Sequence, residues 1–313
     1  MLKIHFAPLQ GYTESPYRIA HAKVCGGVDT YYTPFVRLEH GEPRKKDLRD
    51  ALPENNQGLN VVPQIICNSR NEVETLCGLL VEMGHKQIDV NMGCPFPMQT
   101  RAGRGAGLLN NKEKITEVLH TIADIHEKKG TTFSIKMRLG QESAEECMQV
   151  AEELNQTPVE YITMHPRLGR DQYKGELDYD KFEAFMEVCK HNLLFNGMLQ
   201  TADDIEQIEK KYPNVGAVMI GRGLLARPTL TSEYATGTDL STTQVVEKIM
   251  QMHEMIMHHY SDKIEGGEGQ LLMKMHTFWE YMEPTIGHKA VKKIIKSGNI
   301  RNYMKEVSEL SKL

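Results

Sequence analysis

Several short stretches of this 313-residue chain place chemically capable groups just past a hydrophobic run. In Asp89-Val90-Asn91-Met92-Gly93-Cys94-Pro95 a thiol follows such a run, beside a glycine and held by a proline. A free cysteine is commonly a small buried hydrophobe; at a loop it is open enough to exchange a proton. Ser134-Ile135-Lys136-Met137-Arg138-Leu139-Gly140 alternates in polarity. In a strand the period of two sets Lys136 and Arg138 on one face, opposite Ile135, Met137 and Leu139. If the apolar face meets helices, the cations point inward, where they need an anionic or polarisable ligand or a strand carboxylate. Thr163-Met164-His165-Pro166-Arg167 puts an imidazole at another run's end, either ligand-facing or a satisfied polar group. Gln64 offers an amide able to bond a heterocycle edge. Asn196-Gly197 and Ile220-Gly221-Arg222-Gly223 follow two successive runs, and glycines before a helix start suit a phosphate. A phosphate seat, a polar ring and a thiol suit a phosphate-bearing planar cofactor, flavin mononucleotide (FMN) fitting best, since a cation near its N1/C2 carbonyl stabilises the reduced ring. No His/Cys/Asp cluster has zinc spacing, so no metal is expected, and neither a Walker loop nor a Gly-x-Ser-x-Gly elbow is present.

Eight short apolar runs must position these groups. They cover roughly 3–7, 30–36, 61–67, 87–91, 132–137, 160–164, 192–196 and 215–220. Near-continuous hydrophobicity marks strands buried on both faces. Segments with helical spacing lie between them, such as 72–83, 112–128, 144–154 and 203–211, and Ser69, Asn111, Ser143 and Thr201 stand as caps. Eightfold alternation over about 225 residues predicts an α/β fold of the (β/α)8 TIM-barrel type. A doubly wound open sheet is the alternative, weakened by the lack of Gly-x-Gly-x-x-Gly after the first run. The chemical groups then gather at the strand C-terminal ends, where such barrels hold their sites.

Residues 1–236 form this catalytic domain, and Thr236-Gly237-Thr238-Asp239 reads as a linker. Residues 241–313 are helical with no convincing strand, a small bundle. The chain carries 37 Lys/Arg against 42 Asp/Glu, a net charge of −5, so any nucleic-acid site must be a local basic surface. Such a surface exists in the tail: Lys289, Lys292, Lys293 and Lys296 recur at i, i+3, i+4, i+7, with Arg301 and Lys305 beyond and no acidic residue from 289 to 305. A solvated face is the plain explanation, phosphate binding the other. No apolar run approaches the roughly 18 residues of a membrane span, the N-terminus lacks a signal-peptide pattern, and the six cysteines make no Cys-x-x-Cys pair. A cytoplasmic protein is expected, with no obligate protein partner evident.

The sequence resembles the tRNA-dihydrouridine synthase family over essentially its whole length. The resemblance rests on Ala7-Pro8-Leu9 with Pro16-Tyr17-Arg18, Gln64, Asn91-Met92-Gly93-Cys94-Pro95 with Gly103-Arg104-Gly105-Ala106-Gly107-Leu108-Leu109, and Lys136-Met137-Arg138-Leu139-Gly140. It continues in His165-Pro166-Arg167 with Tyr173 and Gly175, Asn196-Gly197, and Met219-Ile220-Gly221-Arg222-Gly223. It implies an FMN barrel with a C-terminal tRNA-binding domain and NADPH-driven reduction of the uracil C5–C6 bond in the tRNA D-loop. Pro8, Leu9, Gln64, Lys136, His165, Asn196, Gly197, Gly221 and Arg222 would hold FMN. Asn91 and Arg138 would face flavin and uracil, and Cys94 would be the proton donor. Thr33-Pro34-Phe35-Val36-Arg37 resembles the bacterial branch that modifies position 16, so Arg37 would meet the substrate; a surface arginine is the alternative. Pro166 and Leu168 stand where the family usually has Gly and Thr, Met198 where an acidic residue is usual, and Leu9-Gln10 where Met-x is common. Two other readings compete: a flavin barrel acting on a free pyrimidine, like dihydroorotate dehydrogenases, and a non-enzymatic RNA-binding protein.

Overall fold

A computed structural model describes residues 1–312. Its strands are β1 Lys3–Phe6, β2 Thr30–Tyr32, β3 in two pieces (Val61–Val62 and Gln64–Ile65), β4 Gln87–Met92, β5 Thr132–Gly140, β6 Ile162–Leu168, β7 Leu193–Asn196 and β8 Ala217–Ile220. All are parallel. The first piece of β3 bonds β2 and the second bonds β4, so the ring closes through Pro63, as the expected eight-stranded barrel requires. Pro63 has no N–H for the ladder, but its carbonyl accepts from Asp89 N at 2.9 Å.

Proline also moves the boundaries. The run expected over 30–36 stops at Tyr32 because Pro34 cannot donate, and Val36 rejoins by an isolated bridge to Ile65. β5 and β6 run beyond the expected Met137 and Met164. Between the pairs Arg138↔His165 and Gly140↔Leu168 the register shifts. Pro166 sits in that bulge, where a missing donor costs little. The helix expected over 144–154 is two, Glu145–Gln149 and Ala151–Gln156, because buried Val150 leaves the helical region (φ −108°, ψ 5°). Asn111 and Thr201 cap as expected, Thr201 in a capping box with Asp204.

Ile135, Met137 and Leu139 lie in the core shared with the outer helices. The opposite faces fill the barrel interior in layers. Gln64, Asp89 and Ser134 stand side by side across β3, β4 and β5, and Asn91 stands beside Lys136 one step higher.

Helix Leu230–Thr236 ends at Gly237, whose φ of +64° is the left-handed cap that favours glycine. The tail is helical as expected: Thr242–Lys263, Gly267–Trp279, Glu283–Ile286, His288–Ile295 and Ile300–Ser308. It shares its core with the barrel, since Val245, Ile249 and Met252 belong to the same buried cluster as Phe6 and Tyr17. Glu14 fastens the join, accepting from Lys46 and Lys274 at 2.6 Å each and from the Tyr260 hydroxyl at 3.1 Å. All six cysteines are free. Among the described residues no helix is long and apolar enough to cross a membrane.

Candidate active site

A cavity of about 480 Å³ opens at the C-terminal ends of the strands. It brings together Pro8 and Leu9 after β1, Arg37 after β2, Asn91 and Cys94 on and after β4, Lys136 and Arg138 on β5, His165 on β6, Asn196 and Gly197 at β7, and Gly221 and Arg222 after β8. Tyr281 of the helical tail completes one wall. Gln64 is not part of that lining. It lies one layer below, with its amide nitrogen on Asp89 (2.7 Å) and its amide oxygen accepting from Asn91 (2.7 Å). Lys289, Lys292, Lys293, Lys296 and Arg301 also lie outside the cavity, exposed on the tail.

The lining holds four cations, Arg37, Lys136, Arg138 and Arg222, and no Asp or Glu. Lys136 Nζ donates to Asn196 Oδ1 at 2.8 Å, and the Asn196 amide is fixed in turn by the Met219 carbonyl at 2.6 Å. Burial, reinforced by Arg138, pulls Lys136 down to about 8, with Asp89 opposing. Arg138 donates to the carbonyls of Gly93 (3.0 Å) and Leu168 (2.9 Å), which fixes its fork. His165 is held neutral by burial and then by the surrounding cations, and its Nε2 is buried without a partner. The Cys94 thiol is pushed up by burial against a backbone hydrogen bond at Phe96 and the pull of Arg138, Lys136 and Arg37, so it is protonated at neutral pH.

The Cys94 loop is held from two sides. Asn91 Oδ1 accepts from the amides of Gly93 (3.0 Å) and Cys94 (2.8 Å). Behind it, Ala106 N donates to the Cys94 carbonyl at 3.0 Å. A Cβ at Gly105 would lie 2.6 Å from that carbonyl, and one at Gly107 2.4 Å from the Thr100 carbonyl, so the glycine-rich segment is a close seat for this loop.

Tyr173 has no role legible in the sequence; its ring lies 4.4 Å from the Arg222 guanidinium and 5.5 Å from that of Arg138. The same holds for Asp89, whose carboxylate accepts from Gln64 and from Ser134 Oγ (2.6 Å) inside the barrel. A lone carboxylate between Ile88 and Val90 in a buried strand was the available signal. Three of the four departures can be placed in the structure. Pro166 occupies the bulge, the Leu168 carbonyl receives Arg138, and Met198 Sδ receives Arg167 Nη2 at 2.9 Å.

The donor set fits FMN. The unpaired buried imidazole nitrogen, the wholly cationic charge of the lining and the glycines after β7 and β8 match a ring with hydrogen-bonding edges and a phosphate. Among solved structures, the barrel is similar to morphinone reductase, with a TM-score of 0.54 at 12% identity over 76% of this chain and 87% of that one. It is likewise similar to histamine dehydrogenase from Rhizobium sp. 4-9, with a TM-score of 0.55 at 12% identity over 81% of this chain and 49% of that one. These likenesses concern the fold.

Sequence relatives are more specific. The chain is 25% identical to tRNA-dihydrouridine synthase B of Pasteurella multocida (strain Pm70) over 283 residues, 88% of this chain and 83% of the relative. It is 29% identical to tRNA-dihydrouridine(16) synthase of Pseudomonas syringae pv. tomato over 243 residues, 75% of each. The sequence model of the family described as dihydrouridine synthase (Dus) matches residues 5–311. That span covers barrel and tail together, which decides against the free-pyrimidine oxidoreductase and the non-enzymatic binding protein. The chain belongs to the dihydrouridine synthase family.

Proposed function

We propose that this protein reduces the C5–C6 double bond of a uridine in the D-loop of tRNA, with FMN as cofactor and NADPH as co-substrate. The observation that carries the reading is the meeting of Cys94, Asn91, Lys136, Arg138 and His165 at one carboxylate-free cavity. Lys136, His165, Asn196 and Gly197 would hold the flavin, with Pro8 and Leu9 after β1. Gly221 and Arg222 would take its phosphate. When bound and reduced, FMN supplies a hydride to the pyrimidine. Cys94 holds the proton that uracil C5 takes. Asn91 keeps the Cys94 backbone in place through two amide bonds. Arg138, braced on two carbonyls, offers its charge to the uracil oxygens. A uridine reaches a barrel mouth only after leaving its stack, so the substrate nucleotide is flipped or lies in a loop.

Position 16 is the favoured site, supported by Arg37 at the cavity and by the relative whose name specifies that position. The deciding measurement is a map of dihydrouridine in tRNA from cells lacking this protein. Loss at position 16 alone is expected. Loss at position 20 with position 16 retained would exclude the assignment, and an unchanged map would exclude the function.

The tail carries its own expectation. Helix His288–Ile295 buries Val291 and Ile294 and turns Lys289, Lys292 and Lys293 to water, with Lys296 exposed just past its end. Lys293 lies 3.9 Å from Glu306. Among the described residues Lys289, Lys292, Lys296 and Arg301 have no ion-pair partner. These side chains, we infer, bind tRNA phosphates. Replacing the four lysines by Ala should weaken tRNA binding and reduce the slope of log K against log salt by about 0.7–0.9 for each phosphate no longer neutralised. An unchanged slope would mark the stripe as a solvated face.

A further inference from the structure

We propose that Phe96, Met98, Tyr173 and Met198 form a stacking rim for the unpaired bases that adjoin the target uridine; this rests on the tRNA reading above. Among the described residues eight large hydrophobic side chains are exposed, and four of them line this one cavity: Phe96 and Met98 at 61% each, Met198 at 53% and Tyr173 at 45%. Scattered single hydrophobes are ordinary on a surface, whereas a cluster on a cavity mouth marks a contact site. They come from three separate connecting segments, after β4, β6 and β7, so no single run of sequence accounts for their meeting.

Backbone strain singles out the same loops. Only three non-glycine residues among those described have positive φ, and two of them line the cavity: Gln172 (φ 51°) and Met198 (φ 42°). Gln172 immediately precedes Tyr173. A left-handed residue is disfavoured for any side chain with a Cβ, and exposing an apolar group adds a second cost. Both costs are met at the mouth.

The charge around the rim identifies its occupant. The cavity lining holds no carboxylate to repel a phosphate; of its four cations Lys136 and Arg222 would serve the flavin and Arg138 the uracil, and Arg37, paired with Glu39, is the one left for the strand, while the Tyr173 ring lies against the Arg138 and Arg222 guanidinium groups. Apolar π-faces beside arginines are the combination that receives single-stranded nucleic acid, bases on the rings and phosphates on the cations. Flipping one nucleotide strips its neighbours of a stacking partner. Cys94 sits deeper in the same loop, where the target base must arrive, and the open Phe96 and Met98 stand at the entrance. Their surface replaces the stacking that the neighbours lose.

The test is equilibrium binding of the full-length protein to an unmodified tRNA transcript and to one lacking the bases on either side of the target uridine. The variant is Phe96→Ala with Met98→Ala; both side chains are exposed, so the core is untouched, and circular dichroism checks the fold. Wild type should bind the normal transcript about tenfold or more tightly than the variant does. Both proteins should bind the abasic transcript alike, and the salt slope should be the same for both. A variant with wild-type affinity, or one whose deficit persists undiminished on the abasic transcript, would overturn the rim while leaving the substrate reading intact. Wild-type protein that binds no tRNA would overturn both.

Discussion

Cys94→Ala slows uridine reduction by about 10²-fold or more, the scale of a positioned general acid, while the protein keeps its fold and its flavin. The thiol is expendable for folding, because the loop is held by backbone groups: the Gly93 and Cys94 amides on Asn91, and the Cys94 carbonyl on Ala106. Substitution removes the proton and leaves these bonds in place. The thiol's raised pKa gives a second signature. An acid works in its protonated form, so the wild-type rate should stay level through neutral pH and fall only above the ordinary thiol range. Single-turnover reduction of tRNA across pH, read beside the flavin absorbance of each protein, checks both. A variant that turns over tRNA at near wild-type rate would remove Cys94 from the chemistry.

The site was legible in the sequence wherever a strand end announced it. Cys94, Lys136, Arg138, His165, Asn196 and Gly221 each follow or close an apolar run, and a barrel converges all such ends on one opening. The alternation in β5 correctly divided cations from core, since period two leaves no other division. The depth of a residue in the barrel was not legible. Gln64 has the composition of a pocket residue but stands a layer lower, because the register of β3 on β4 pairs it with Asp89. Register is a property of two strands, and one sequence segment does not carry it. The rim was hidden for a related reason. Phe96, Tyr173 and Met198 lie in loops with no period and Met98 in the four-residue helix Pro97–Thr100, too short to show one, and only the fold brings these segments side by side.

Asp89 is where that hidden layer acts on the visible one. Its carboxylate accepts from Gln64, Gln64 accepts from Asn91, and Asn91 accepts from the Gly93 and Cys94 amides, so one acceptor sets the direction of every amide up to the thiol loop. Asp89→Leu leaves Gln64 Nε2 and Ser134 Oγ buried without an acceptor and frees the Gln64 amide to turn. At about 1–3 kcal/mol for each of the two stranded groups, stability should drop by roughly 2–6 kcal/mol. Asp89→Asn should be far milder. Its amide oxygen still receives Gln64, and its amide nitrogen donates to a Ser134 hydroxyl that rotates to accept. The two variants therefore separate the loss of an acceptor from the loss of a charge. Burial raises the Asp89 carboxyl to about 7 despite the bonds from Gln64 and Ser134 and the nearby Lys136. The native state thus holds this proton more tightly than the unfolded chain, where the group titrates near 4. Its contribution to stability falls as pH rises from about 4 to about 7 and is level above that. Denaturant unfolding across this range should show a wild-type decline that Asp89→Asn flattens. Parallel curves for wild type and Asp89→Asn would mean that the carboxyl titrates in its ordinary range, and an Asp89→Leu protein as stable as wild type would mean that the amide chain does not depend on it.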